Sequence, residues 1–126
     1  MKQEEKDLLL KDLCARLPYG VKVLYENKVF SVDNISAIYE EVKLDIPDNY
    51  TLNIAEVKPY LFPILAMTEE QCEELYNISE TRITFTPDRM IEVYKNTIEW
   101  FLKNHIDYNG LIGKGLAIDA TEKNIY

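Results

Sequence analysis

One histidine, two cysteines and a glycine-spaced run are the conspicuous chemistry of this chain. His105 stands two residues before Asp107, a spacing at which a carboxylate can orient an imidazole. Such a pair becomes catalytic only beside a nucleophile, and the sequence nominates none. At the end of a helix a histidine more simply caps the last carbonyls and, as a cation, gains from the dipole. A lone histidine also removes every multi-histidine metal site. With Cys14 and Cys72 far apart and matching no ligand spacing, a four-coordinate zinc site of nitrogen and sulfur ligands is excluded within one chain. The run Gly110-Leu111-Ile112-Gly113-Lys114-Gly115 invites comparison with a phosphate loop. That loop needs a preceding strand, the GxxxxGK[ST] spacing and a following helix. Here a helical pattern precedes, the spacing differs, and Gly115 stands where Ser or Thr belongs. A helix C-cap at Gly110 and a second turn at Gly115 account for the glycines. The carboxylates are numerous but scattered, so no acid–base pair stands out. This inventory gives no catalytic residue, no cofactor and no metal site, and it argues against an enzyme.

Composition sets the outer bounds. The chain has 126 residues, a net charge of −8, 47% hydrophobic residues, four glycines and five prolines. That is one domain of ordinary size with enough apolar surface to build a core without a disulfide or metal. The acidic balance makes nucleic acid and anionic membrane surfaces poor partners. Only three consecutive leucines follow the charged N-terminus, too few for a signal peptide or a membrane span. The cysteines read as reduced thiols of a cytoplasmic protein.

The elements that must position these residues start at the long helix. Thr86-Pro87-Asp88 is a strong start signal, with Phe85 and Met90 at staple positions. Met90, Tyr94, Ile98, Phe101 and His105 then recur at helical spacing, with Val93 and Thr97 on the same face. Residues 6–17 form an amphipathic helix whose inward template is Leu10, Leu13, Cys14 and Leu17, ended by Pro18. Strands are expected over residues 21–25, 28–33 and 37–46, the first two joined at Glu26-Asn27 and the last closed by Pro47-Asp48-Asn49. The stretch 58–67 is apolar but holds Pro59 and Pro63, which argues against a central strand and for an irregular lid. Thr68-Glu69-Glu70-Gln71 is a capping box opening a helix with Cys72, Leu75 and Tyr76 inward. Residues 82–85 can add a short strand. The tail from Tyr108 to Ile118 is too apolar to trail and should dock on the long helix, covering Trp100 or Phe101. Residues 119–126 are polar and expected to be mobile.

Several segments resemble a family of small uncharacterised proteins from gut Bacteroides and their phages. They are the residues from Leu10 to Val23, Leu52-Asn53-Ile54 with Lys58-Pro59-Tyr60-Leu61, Met67-Thr68-Glu69-Glu70, and Asp107-Tyr108 through Lys114-Gly115-Leu116-Ala117-Ile118. The likeness covers most of the chain, departs most between Leu24 and Asn49, and carries over no activity and no site residue. It implies a phage, prophage or other mobile element of an intestinal anaerobe.

The expectation is therefore a single α+β domain: an N-terminal helix, about three antiparallel strands, an irregular apolar lid, and two C-terminal helices with a docked tail. Its core should hold Leu10, Leu13, Leu17, Val21, Val23, Val42, Leu44, Leu75, Tyr94, Ile98, Phe101 and Leu116. Its function is expected to be non-catalytic, a protein–protein interaction or accessory factor with Tyr60, Leu61, Phe62, Ile64 and Leu65 as the partner-binding surface. The partner can be another protein or a second copy. Two alternatives stand beside it. One is an acidic inhibitor or nucleic-acid mimic, which needs Glu40, Glu41, Glu69, Glu70, Glu73 and Glu74 gathered on one surface. The other is a small enzyme or nucleotide binder using the Gly110–Gly115 turn and His105.

Overall fold

The computed structural model describes residues 1–46, 51–79 and 86–126. In chain order it runs α1 (Gln3–Arg16), β1 (Lys22–Tyr25), β2 (Lys28–Ser36), β3 (Glu41–Leu44), β4 (Thr51–Asn53), β5 (Lys58–Leu61), α2 (Glu69–Ser79), α3 (Pro87–Lys103) and β6 (Ile118–Asp119). The class is α+β, but the sheet is mixed and has six strands, in the order β4-β3-β2-β1-β5-β6. The turn expected at Pro47-Asp48-Asn49, the strand over 82–85 and the Phe85 half of the staple lie outside the described residues.

The hairpin of β1 and β2 forms as expected, with Tyr25 opposite Lys28. Glu26 and Asn27 both adopt positive φ, 47° and 63°, the twist a two-residue hairpin turn requires even without a glycine. Further along β2 the register against β3 shifts between Val32 and Asn34, so Asp33 bulges. The bulge lets Val32 and Ile35, three residues apart, both pack on the core beside Val42 and Leu44.

Three strands, β4, β5 and β6, escaped the sequence reading. Pro59 argued against a central strand, yet β5 lies between β1 and β6 and its Pro59, Tyr60 and Leu61 are buried. The proline is tolerated because the parallel ladder with β6 starts only at Tyr60 and Leu61, past it. The ladder is prolonged by Phe62, whose N–H donates to the His105 carbonyl and whose carbonyl accepts from Asp107 N–H, both at 2.8 Å. β6 itself is two residues long, below what periodicity can register.

Helix α1 packs Leu9, Leu10 and Leu13 on the sheet, against Val21, Val23, Val42, Leu44, Leu52 and Leu61. Leu9 and Leu13 have no exposed surface, a burial worth about 1.5–3 kcal/mol each. The inward row is Leu9, Asp12, Leu13 and Arg16, the expected i, i+3, i+4, i+7 template shifted back by one residue. Cys14 is consequently exposed rather than core. Arg16 is fully buried: its Nε and Nη2 donate to the two oxygens of Asp12 at 2.7 and 3.2 Å, and Nη2 also donates to the Ile106 carbonyl at 2.7 Å.

Thr86 caps α3 by accepting from Arg89 N–H, and Thr68 and Gln71 form the expected reciprocal box before α2. Both helices bury less than their patterns promised. On α2 Leu75 is half-buried, while Cys72 and Tyr76 face solvent. On α3 Trp100 and Leu102 are buried, Ile98 and Phe101 half-buried, and Tyr94 is 69% exposed. Of the expected core, Leu10, Leu13, Val21, Val23, Val42, Leu44 and Leu116 are buried, Leu17 only in part. The tail does dock, but Leu111, Leu116 and Ala117 enter the core under α1 rather than lying along α3, where only Tyr108 stacks on Phe101 at 5.5 Å.

Arg16→Ala should therefore cost about 3–5 kcal/mol in urea denaturation, because it leaves the Asp12 carboxylate buried without its cation. Arg16→Met combined with Asp12→Leu should lose less than the single change, since no orphaned charge remains.

Candidate functional site

His105 and Asp107, two residues apart in sequence, are separated in role. Helix α3 ends in a Schellman turn: Ile106 N–H donates to the Phe101 carbonyl and His105 N–H to that of Leu102. His105 holds the left-handed position, φ 57°, which a glycine commonly fills. The cap expected at Gly110 thus stands at His105. The imidazole stacks on Tyr126, with centroids 3.6 Å apart and 10° between the planes. Its Nδ1 is buried with no hydrogen-bond partner among the described residues. Burial, helped by the nearby positive charges of Arg16 and Lys22, lowers its pKa to about 4. It is a neutral packed ring at physiological pH, not the cationic cap expected.

Asp107 turns away to the glycine run. Its carboxylate accepts from Leu111 N–H at 2.8 Å and Ile112 N–H at 2.9 Å. The amides that a phosphate loop would aim at its ligand are here filled by the chain's own anion. Gly115, at φ 75°, closes a second turn in which Leu116 N–H reaches the Leu111 carbonyl. A nucleotide site built on Gly110–Gly115 and His105 gains nothing from this geometry.

Residues 119–126 carry contacts the sequence reading did not foresee. Ala120 N–H donates to the Leu61 carbonyl at 2.8 Å, and Lys22 Nζ donates to the Ile125 carbonyl at 3.0 Å. Val23 pairs with Pro59 and Leu24 with Lys58, so Lys22 would next stand opposite Tyr60. The Tyr126 hydroxyl bridges that position, accepting from Lys22 N–H at 3.0 Å and donating to the Tyr60 carbonyl at 2.7 Å. Burial pushes its pKa up to about 12.

The surface nominated for a partner divides. Tyr60 and Leu61 are buried in the sheet and Phe62 is half-buried, so these three are not presented as a face. Ile64 is exposed and Leu65 is 99% exposed. The acidic residues fare no better as an array: Glu40 is engaged by Gln3 and Lys6, and Glu74 accepts from the Trp100 indole at 3.1 Å.

A more extended apolar surface lies on α3. Met90, Ile91 and Tyr94 are exposed along its first two turns. Met90, Tyr94 and Ile98 follow one another at four-residue steps, and the row ends in a cleft of about 410 Å³ between α1 and α3. Tyr94, Ile98, Tyr108 and Ala15 supply its apolar surface; Lys11, Lys95, Glu99 and Asn109 supply its polar groups. Asn109 is held by its side-chain amide donating to Asp12 at 2.8 Å, and Tyr108 lies under the Arg16 guanidinium at 5.4 Å. The buried ion pair thus fixes one wall of the cleft. Sequence reasoning missed Lys11, Ala15 and Lys95. The available signal was that Ile91 falls off the face of Met90, Val93 and Thr97, giving α3 more apolar surface than one buried stripe uses.

The chain matches no protein-family model, no curated protein and no solved structure. Among the described residues no group of histidine, cysteine, aspartate or glutamate side chains is placed to hold a metal ion. No helix there is long and apolar enough to cross a membrane.

Two outcomes follow. Tyr126→Phe removes both bonds across the β1–β5 gap and should lower stability by about 1–3 kcal/mol, read by denaturant melting, with the ring stack retained. Unfolded, His105 binds a proton below about pH 6.5; folded, it does so only near 4. The unfolded chain holds more protons in that window, so stability falls as pH drops from about 6.5 to 4. His105→Asn, which tolerates the left-handed backbone, should flatten that part of the profile relative to the parent.

Proposed function

We propose that this is a non-catalytic interaction or accessory protein whose partner is another protein. The observation that carries the reading is the exposed row of Met90, Ile91 and Tyr94 on α3. Apolar side chains adjacent on one helix face are removed from water by binding something, and such patches mark interfaces more often than scattered exposed residues do. The polar inventory supports the same view. Asp107 serves its own turn, Asp12 and Arg16 serve each other, and His105 is a packed neutral ring. None of these groups is free to act on a substrate. Placement in the cytoplasm of a phage- or mobile-element host rests on the sequence resemblance and the chain's composition.

Affinity capture from an intestinal Bacteroides lysate provides the test, with the parent chain and a Met90→Lys, Ile91→Lys double variant as baits. Both baits should melt at the same temperature, because the two positions are exposed. A partner retained by the parent and lost by the variant is the expected result. Identical captures with the two baits would overturn the assignment of α3 as the contact surface, and a parent bait that retains nothing specific would overturn the reading itself.

A further inference from the structure

We infer that the cleft between α1 and α3 receives an acidic peptide segment with an aromatic or branched aliphatic anchor, supplied by a partner protein. The inference rests on the interaction reading above and names its surface and the chemistry it recognises. Three observations converge on it. The cleft holds about 410 Å³, room for one or two anchoring side chains, and Ala15, Ile98 and the rings of Tyr94 and Tyr108 make its lining largely apolar. Its walls carry Lys11 from α1 and Lys95 from α3, and neither lysine is in an ion pair among the described residues. Among the described residues Glu99 is the single acidic group in the lining, so the described lining is net positive on a chain of net charge −8. Two lysines without an ion pair on a chain of net negative charge favour this position for an anionic segment.

The shape of the apolar surface argues for a peptide. From Ile98 through Tyr94 to Met90 the row leaves the cleft and continues along α3, with Ile91 beside it. Eight residues of helix span about 12 Å, more than a compact small molecule in the cleft would cover. A helix or extended strand lying along α3 reaches the whole row and sets its anchor between the lysines. Tyr108 and Asn109 are already fixed by Arg16 and Asp12, so this wall is formed before the ligand arrives.

Selection from a phage-displayed library of random dodecapeptides on the purified full chain tests the inference. Enriched sequences should combine an aromatic or branched aliphatic residue with Asp or Glu. A synthetic representative should shift the amide resonances of Tyr94, Ile98 and Asn109 and bind more weakly as salt rises. Lys11→Glu combined with Lys95→Glu, both surface changes that leave the melting temperature in place, should weaken it by about tenfold. Peptides without acidic residues, or acidic peptides that bind the charge-reversed chain equally well, would overturn the inference. Peptides that shift resonances elsewhere would overturn the cleft while leaving the interaction reading intact. A monomer–dimer equilibrium in sedimentation that Tyr94→Lys abolishes would assign the surface to a second copy instead, and would overturn the peptide occupant.

Discussion

A guanidinium with no exposed surface holds three parts of this chain in register. Arg16 reaches from the last turn of α1 to its own Asp12 and to the Ile106 carbonyl, ninety residues later in sequence. Asp12 in turn accepts from Asn109, and the face of Tyr108 lies beneath the cation. Taking two charges out of water costs several kcal/mol per ion, offset only when geometry and added hydrogen bonds are good. Here two bonds join the pair, a third goes to a backbone carbonyl and a fourth comes from an amide. Arg16 Nη1 is left without a partner among the described residues. The assembly is better understood as a positional lock than as a source of net stability. An all-leucine α1 could slide or rotate on a greasy sheet, whereas Arg16 has one place where its donors are met.

The lock also explains where the sequence was legible and where it was not. Helix starts were readable because capping is local: Thr86 and the Thr68–Gln71 box do what their types and spacing say. Strands β1 to β3 were readable from alternation, although residues 37–40, expected at the start of the third, form the turn before it. For α1 the helix was right and the face was wrong by one residue, because Asp12 and Arg16 were placed in water by their charge. Their partners come from Ile106 and Asn109, which no local pattern can reveal. β5 was lost to the rule that proline avoids central strands, although the ladder beyond Pro59 never needs its missing N–H. Of the candidate surface, Leu65 faces solvent while Tyr60 and Leu61 do not, a distinction set by a two-residue strand more than fifty positions away. Lys11, Ala15 and Lys95 were ordinary surface residues until two helices brought them to one cleft.

Polar groups in this fold act as fasteners. Asp107 fills a nest of amides that would otherwise invite an anion, and the Tyr126 hydroxyl replaces a strand-to-strand bond that the β1–β5 pairing leaves unmade. His105 accepts a left-handed backbone and a neutral ring to let α3 turn back toward β5. Each solves a local problem of backbone satisfaction, and each is thereby withdrawn from chemistry. What remains unassigned is apolar surface.

That surface is unevenly anchored along α3. The helix is 17 residues long, about 25 Å, and its fixed points crowd at the C-terminal end. Trp100 is tied to Glu74, the Schellman turn follows, and residues 105–107 join β5 directly. Among the described residues the first two turns contribute no member of the core, and apart from the half-buried Val93 their side chains are exposed. Opening free energies track buried contacts, so amide exchange along α3 should be slowest near Leu102 and fastest near Met90. Met90 and Ile91 lie on the first two turns, while Tyr94, Lys95, Ile98 and Glu99 line the cleft. A ligand lying along the row would set its anchor against the wall that Arg16 and Asp12 hold through Tyr108 and Asn109, and ordering the exposed side chains of the row is the entropic cost its apolar contacts must exceed.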